Sequence, residues 1–247
     1  MPVPPIPFLL AVFAAGVLPA VAQPAAEPAA EPAAGLLADT TAARFGSSVA
    51  LVLALTEDGL GAGASARTRL TDDVSFAVET SLAAGRDERE QRFFVGLFGD
   101  TVTPFKRNYA ALAPLHVGVE ARLFRQSVED NVRPFVSATA GPTVAVQWPY
   151  FDDRDRDGLR DAGEARLGAF AGLDRARLRL GAGATLAVGV AVGGDRGRAV
   201  QSLRFGVTAH VFPSRVDLLE LDPAIERPSR RMFLSPTVRF HVGRLAR

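Results

Sequence analysis

Cysteine is absent from the 247 residues, which excludes a disulfide framework, a thiolate zinc site and an amino-terminal lipoprotein anchor. Export stays open, because an exported chain need not contain disulfides. Lysine is almost absent as well: Lys106 is the only one, so nearly all of the 28 basic residues are arginine. They stand against 27 acids, and the net charge of +1 points to no nucleic-acid partner. The chain has no apolar run of about 20 residues to cross a bilayer as a helix. Past residue 43, no stretch reads as an amphipathic helix of more than a few turns. Disorder is excluded too, since 48% of the residues are hydrophobic.

The chain opens MPVPPIPFLLAVFAAGVLPAVAQ. An apolar run over residues 8–18, followed by the small-x-small sequence Ala20, Val21, Ala22, predicts a secretory signal peptide over residues 1–22 with cleavage before Gln23. The next stretch, PAAEPAAEPAAG, has nothing to build a core from, and residues 23–42 read as an extended linker. Residues 43–247 are the folded domain.

That domain alternates in polarity with period two, the signature of strands with one apolar face. Over residues 74–82, Val74, Phe76, Val78, Thr80 and Leu82 share one face, while Ser75, Glu79 and Ser81 share the other. Residues 132–148 set Val136, Ala138, Ala140, Val144, Val146 and Trp148 against Arg133, Ser137, Thr139, Thr143 and Gln147. The same reading applies to residues 45–56, 60–70, 109–124, 177–192, 198–212 and 232–245, which makes eight strands in all.

A soluble barrel fills its inside with large aliphatic side chains and shows polar groups to water. Here the polar face is Gly, Ser and Thr interspersed with Arg67, Arg69, Glu79, Glu120, Arg122, Arg177, Arg179, Arg204 and Arg239. The apolar face stays nearly free of charge over about ten residues per strand, the length that a tilted transmembrane strand requires. Only a closed barrel leaves no unpaired edge in lipid. The predicted fold is therefore all-β: a closed antiparallel transmembrane β-barrel of eight strands. Its connections segregate, with short turns at residues 71–73, 126–131 and 193–197 on one side, the periplasmic one. Residues 56–59, 84–108, 149–176 and 213–231 connect the strands on the other side, and three of these are long extracellular loops.

In RPFVSATAGPTVAVQW (residues 133–148), LRFGVTAHVF (203–212) and FLSPTVRFHVGRL (233–245), the chain resembles the small eight-stranded bacterial outer-membrane β-barrel proteins. The resemblance implies the outer membrane of a diderm bacterium, with membrane lipid and lipopolysaccharide as the surrounding partners. It also implies a structural or surface-interaction role. Some such barrels hydrolyse lipids, so His116 and Glu120 with a serine such as Ser137 form a candidate hydrolase set. No serine carries a catalytic motif, and the expectation is a protein that is not an enzyme. Eight inward arginines against Glu79 and Glu120 leave two readings: a narrow anion-preferring channel, or a lumen plugged by Arg–Glu pairs. Eight strands leave little more room than side chains fill, which favours the plug.

The sharpest motif is DRDRDGLRDAGE, residues 153–164. Its DxDxDGxxDxxE spacing predicts a calcium loop. Asp153, Asp155 and Asp157 would give side-chain oxygens, Leu159 its carbonyl, Asp161 a direct or water-mediated contact, and Glu164 a bidentate carboxylate. Gly158 allows the sharp turn. The expected calcium is weakly bound and structural. The competing reading is a salt-bridged loop in which Arg154, Arg156 and Arg160 offset the carboxylates, and a soluble exported calcium-binding β-domain is the alternative for the whole chain.

Overall fold

The computed structural model describes residues 47–245, apart from 58, 88, 91–92, 96–99, 125–131, 156, 162, 194–198 and 221–229. The expected signal peptide and linker lie outside the described residues, as do Arg156 and most of two of the expected short turns.

The described residues form ten strands, eight of them long ones in which apolar and polar residues alternate: β1 (Ser48–Thr56), β2 (Gly59–Arg69), β3 (Val74–Gly85), β4 (Phe93–Val95), β5 (Asp100–Val102), β6 (Asn108–Arg122), β7 (Val132–Pro149), β8 (Arg177–Gly193), β9 (Ala199–Val216) and β10 (Arg230–Leu245). Eight of them form a closed barrel in the order β1-β10-β9-β8-β7-β6-β3-β2. β4 and β5 pair only with each other, as a small hairpin within the connection between β3 and β6. Every barrel pairing is antiparallel, and closure comes from β1 against β10, running from Ser48 opposite Leu245 to Thr56 opposite Thr237. No barrel strand is left with an open edge, the condition for a sheet to reside in lipid.

Register fixes which side chains face out, because a slip of one residue would exchange the two faces of a strand. Leu51 (71% exposed), Leu60 (74%), Leu180 (67%) and Leu186 (63%) point outward, and Val117, Val119, Phe205, Val207 and Leu234 continue the apolar belt. Arg215 and Arg244 are exposed only near its two rims. Inward, Glu79, His116, Thr143, Arg204, Thr208, Arg239 and His241 are all buried. Polarity is thus inverted relative to a soluble barrel.

Two prolines leave marks in the sheet. The ladder of β6 with β7 lacks pairs at Leu115 and His116, opposite Gly141 and Pro142, and that of β3 with β6 lacks them at Pro114 and Ala113. Proline has no N–H to give to a ladder, so each interrupts one locally. The tight turn after β2 is set by Thr71, whose hydroxyl accepts from the Val74 N–H at 3.0 Å while Leu70 N donates to Val74 O at 2.9 Å.

The interior is not uniformly polar. At the long-loop end Ala110, Leu112, Ala145, Phe212, Val216, Leu218 and Phe233 form a buried apolar cluster, with Phe212 and Phe233 in edge contact at 5.9 Å. It lies inside the barrel beneath the long loops.

Candidate functional site

The predicted calcium loop leaves the barrel after β7 and is pinched at its neck by a bridge between Phe151 and Arg166 and by Asp152 N donating to Ala165 O at 3.0 Å. This brings the two ends of the motif together. Asp153, Asp155 and Glu164 gather so that one carboxylate oxygen from each lies within 4.8 Å of the others. Glu164 spans the loop, accepting from Arg154 N at 2.7 Å and from Asp161 N at 3.2 Å. Asp153 Oδ2 accepts from Gly158 N at 3.1 Å, while its Oδ1 is buried without a hydrogen-bond partner.

Gly158 has φ +80°, the left-handed conformation expected of the turn glycine. A β-carbon there would also meet the guanidinium of Arg107 at 2.4 Å and displace the end of that side chain. The other motif residues lie outside the gathered set. Asp157 is exposed and accepts from Leu159 N at 2.7 Å, Leu159 is half exposed, and Asp161 uses its carbonyl to accept from Glu164 N at 3.1 Å.

Neither Arg154 nor Arg160 forms a salt bridge with these carboxylates. Arg154 reaches Asp152 at 3.7 Å, and Asp152 is also held by Arg175 at 3.0 Å. Among the described residues no salt bridge joins an arginine to Asp153, Asp155, Asp157, Asp161 or Glu164. An all-oxygen donor set lacking its own cation suits a hard divalent ion.

Two residues that sequence reasoning missed support the loop from elsewhere in the chain. Arg107, just before β6, packs its guanidinium against Gly158, and its carbonyl accepts from Tyr150 N at 2.9 Å. Glu220, beyond β9, is buried, with Oε1 lacking a partner. Burial pushes its carboxyl above the ordinary glutamate range, opposed by the N–H and the charge of Arg160 and reinforced by the nearby Asp157. Neither residue falls within the motif, so spacing alone had no means of finding them.

In the lumen, Glu120 pairs with Arg67 at 3.0 Å and with Arg204 at 3.1 Å. Glu79 sits 3.6 Å from Arg204 and is hydrogen-bonded by Arg239, which also donates to Thr208 at 2.9 Å. Arg204 lies over the Phe135 ring at 5.2 Å. Nearby, His210 Nδ1 is 3.0 Å from the Thr143 hydroxyl, its ring tilted against that of His116 at 5.9 Å, while His241 contacts the Ser65 hydroxyl at 3.1 Å. The candidate hydrolase set does not assemble: both Glu120 oxygens face arginines, and among the described residues no hydrogen bond joins His116 to Ser137 or Glu120.

Eight strands closed around a salt-bridged interior, with an apolar outer face, define the architecture of a small outer-membrane-type barrel. Neither a protein-family model nor a curated protein matches the chain. Similar solved structures include Neisserial surface protein A, at 13% identity and a TM-score of 0.39, covering 81% of this chain and 94% of that one. Ail, the attachment invasion locus protein of Yersinia pestis, has 9% identity, a TM-score of 0.37 and coverage of 80% and 95%. CarO of Acinetobacter baumannii has 9% identity, a TM-score of 0.31 and coverage of 80% and 97%. These are outer-membrane β-barrel proteins. At such identity the likeness is one of fold alone and says nothing of what the loops bind.

Proposed function

We propose that the chain is an exported outer-membrane barrel of a diderm bacterium that presents its long loops to the outside in a structural or surface-interaction role. The observation that carries this reading is the inverted polarity of a closed barrel, apolar outside and ion-paired within. A soluble exported domain would expose that belt to water over the whole circumference, a surface far larger than the few hundred Å² of apolar patch that soluble monomers tolerate. Outer-membrane lipid and lipopolysaccharide are then its surroundings. The filled lumen supports a scaffold and not a channel, and the unassembled hydrolase set supports a role without catalysis.

Within this role the DRDRDG loop binds calcium weakly and structurally. Asp153, Asp155 and Glu164 form the initial set, and Asp157, the Leu159 carbonyl and Asp161 complete it as the loop tightens around the ion. Cation binding would relieve the mutual repulsion of three gathered carboxylates and give the buried Asp153 Oδ1 a partner. Its effect is to order an exposed loop, with the barrel indifferent to it. Membrane fractionation combined with heat-modifiable gel migration tests the location. Recovery in the outer-membrane fraction, with a migration shift on boiling, is the expected result, and recovery in the soluble periplasm refutes it.

A further inference from the structure

At the long-loop end, above the apolar cluster, the barrel mouth holds a cavity of about 460 Å³. Its wall carries five arginines, Arg107, Arg154, Arg175, Arg177 and Arg179, against two acids, Asp153 and Asp217. Arg154 and Arg175 are both engaged with Asp152. The Asp217 carbonyl accepts from Asn108 Nδ2 at 2.6 Å and from Gln147 Nε2 at 3.1 Å. Among the described residues Arg107, Arg177 and Arg179 form no salt bridge, although Arg107 lies close enough to Glu220 to act on its charge, and Arg179 Nε is buried without a hydrogen-bond acceptor.

With Arg177 exposed and Arg107 and Arg179 half-buried, this gathering of like charges at an open mouth attracts an anion. Arg177 and Arg179 lie two residues apart on the inward face of β8, about 7 Å along the strand, so that both forks reach one ligand. Their charges add in a recess whose low-dielectric walls focus the field. The planar guanidinium matches the paired oxygens of phosphate and sulfate, and three of them around one recess match such a group better than they match a single carboxylate. Next to the cavity, Ala145, opposite Arg179 in the sheet, belongs to the buried apolar cluster that includes Phe212 and Phe233.

We propose that this mouth cavity is a binding site for an oxyanion of the phosphate or sulfate class, held by Arg177, Arg179 and Arg107. The site adjoins the calcium loop: Asp153 borders both, and Arg107 also packs against Gly158. It sits inside the rim, open to the aqueous side, so the group it takes is either a free phosphate or sulfate ester or a lipid headgroup reaching over the rim.

Trp148, the chain's only tryptophan, lines the cavity, with its Nε1 donating to Ala169 O at 2.7 Å and its ring stacked on Tyr109. Its fluorescence is a local reporter. The full barrel, in zwitterionic detergent and metal-free buffer, is titrated with inorganic pyrophosphate. In parallel it is reconstituted into phosphatidylcholine vesicles with and without phosphatidylglycerol. The expected result is a saturable change in Trp148 emission that weakens at least tenfold in the Arg177→Gln/Arg179→Gln double variant and is unchanged in Arg231→Gln, an exposed arginine outside the cavity. A response to pyrophosphate assigns the site to free oxyanions, and one seen only with phosphatidylglycerol assigns it to headgroups. Retained heat-modifiable migration shows that the double variant still folds. No saturable response in either arm, or a response that the double variant retains, overturns the proposal.

Discussion

Replacing Glu79 by glutamine removes one charge from the centre of the lumen while keeping the side chain's shape. Glu79 is 4% exposed and serves both Arg204 and Arg239. Arg204 keeps Glu120 at 3.1 Å, but Arg239 is left with the hydroxyls of Thr185 and Thr208 at 3.4 and 2.9 Å. A buried guanidinium without its carboxylate costs about 3–5 kcal/mol, because desolvation of the remaining charge is no longer offset. With a urea slope of about 2 kcal/mol/M, that moves the unfolding midpoint down by roughly 1.5–2.5 M. The assay is urea unfolding of the barrel in phosphatidylcholine vesicles, followed by Trp148 fluorescence. Glu79→Met combined with Arg239→Met should recover most of the loss, since replacing both partners by apolar groups leaves no orphaned charge. A shift corresponding to less than about 1 kcal/mol would mean that the lumen ions are hydrated and screened like surface pairs. The closed, dry interior would then be wrong.

Other outcomes follow from the same geometry. Calcium should bind with an affinity on the order of 10⁻⁴ to 10⁻³ M and protect residues 150–166 from protease. Glu164→Gln should abolish that protection, and calorimetry without heat at millimolar calcium would leave the salt-bridged loop as the better account. Glu220 has a raised carboxyl pKa, so its contribution to loop anchoring is complete below the ordinary value of 4.5 and is lost as pH rises through the raised one. In calcium-free buffer, papain should cut the loop faster at pH 7.5 than at pH 5. Glu220→Gln should flatten that difference, and an unchanged profile would remove Glu220 from the account. Purified protein in a planar bilayer should show no stable conductance, because the ion-pair network and the apolar cluster both occupy the lumen; stable anion-selective channels would contradict it.

The strands were legible because lipid and lumen impose opposite demands on alternate residues, and period-two patterning records that directly. Residues 74–82 and 132–148 needed no tertiary information to be assigned. What patterning did not reveal was length and filling. β9 continues past Phe212 to Val216, and Phe212, Phe233 and Leu112 point inward although they are apolar. An inward apolar residue obeys the same period as an inward polar one, so only packing discloses it. The β4–β5 hairpin is three residues per strand, too short for any period to register. The eight inward arginines looked alike in sequence but divide in space. Arg67, Arg204 and Arg239 form the network, Arg69, Arg122 and Arg133 line the short-turn mouth, and Arg177 and Arg179 line the long-loop mouth. In the DRDRDG loop, spacing supplied the carboxylates, whereas Arg107 and Glu220 come from distant parts of the chain that meet the loop only after the barrel closes.

The central claim is that the apolar face meets lipid and the charged face does not. Because the chain has no cysteine, single cysteines at Leu186 and Ala187 can each be labelled uniquely. Leu186 is 63% exposed on the outer belt and its neighbour Ala187 is 5% exposed toward the lumen. With fluorophores at these two adjacent sites in vesicles carrying a lipid-borne quencher, the account predicts strong quenching at Leu186 and little at Ala187. Stronger quenching at Ala187 would contradict it, and every lumen assignment would fall with that result.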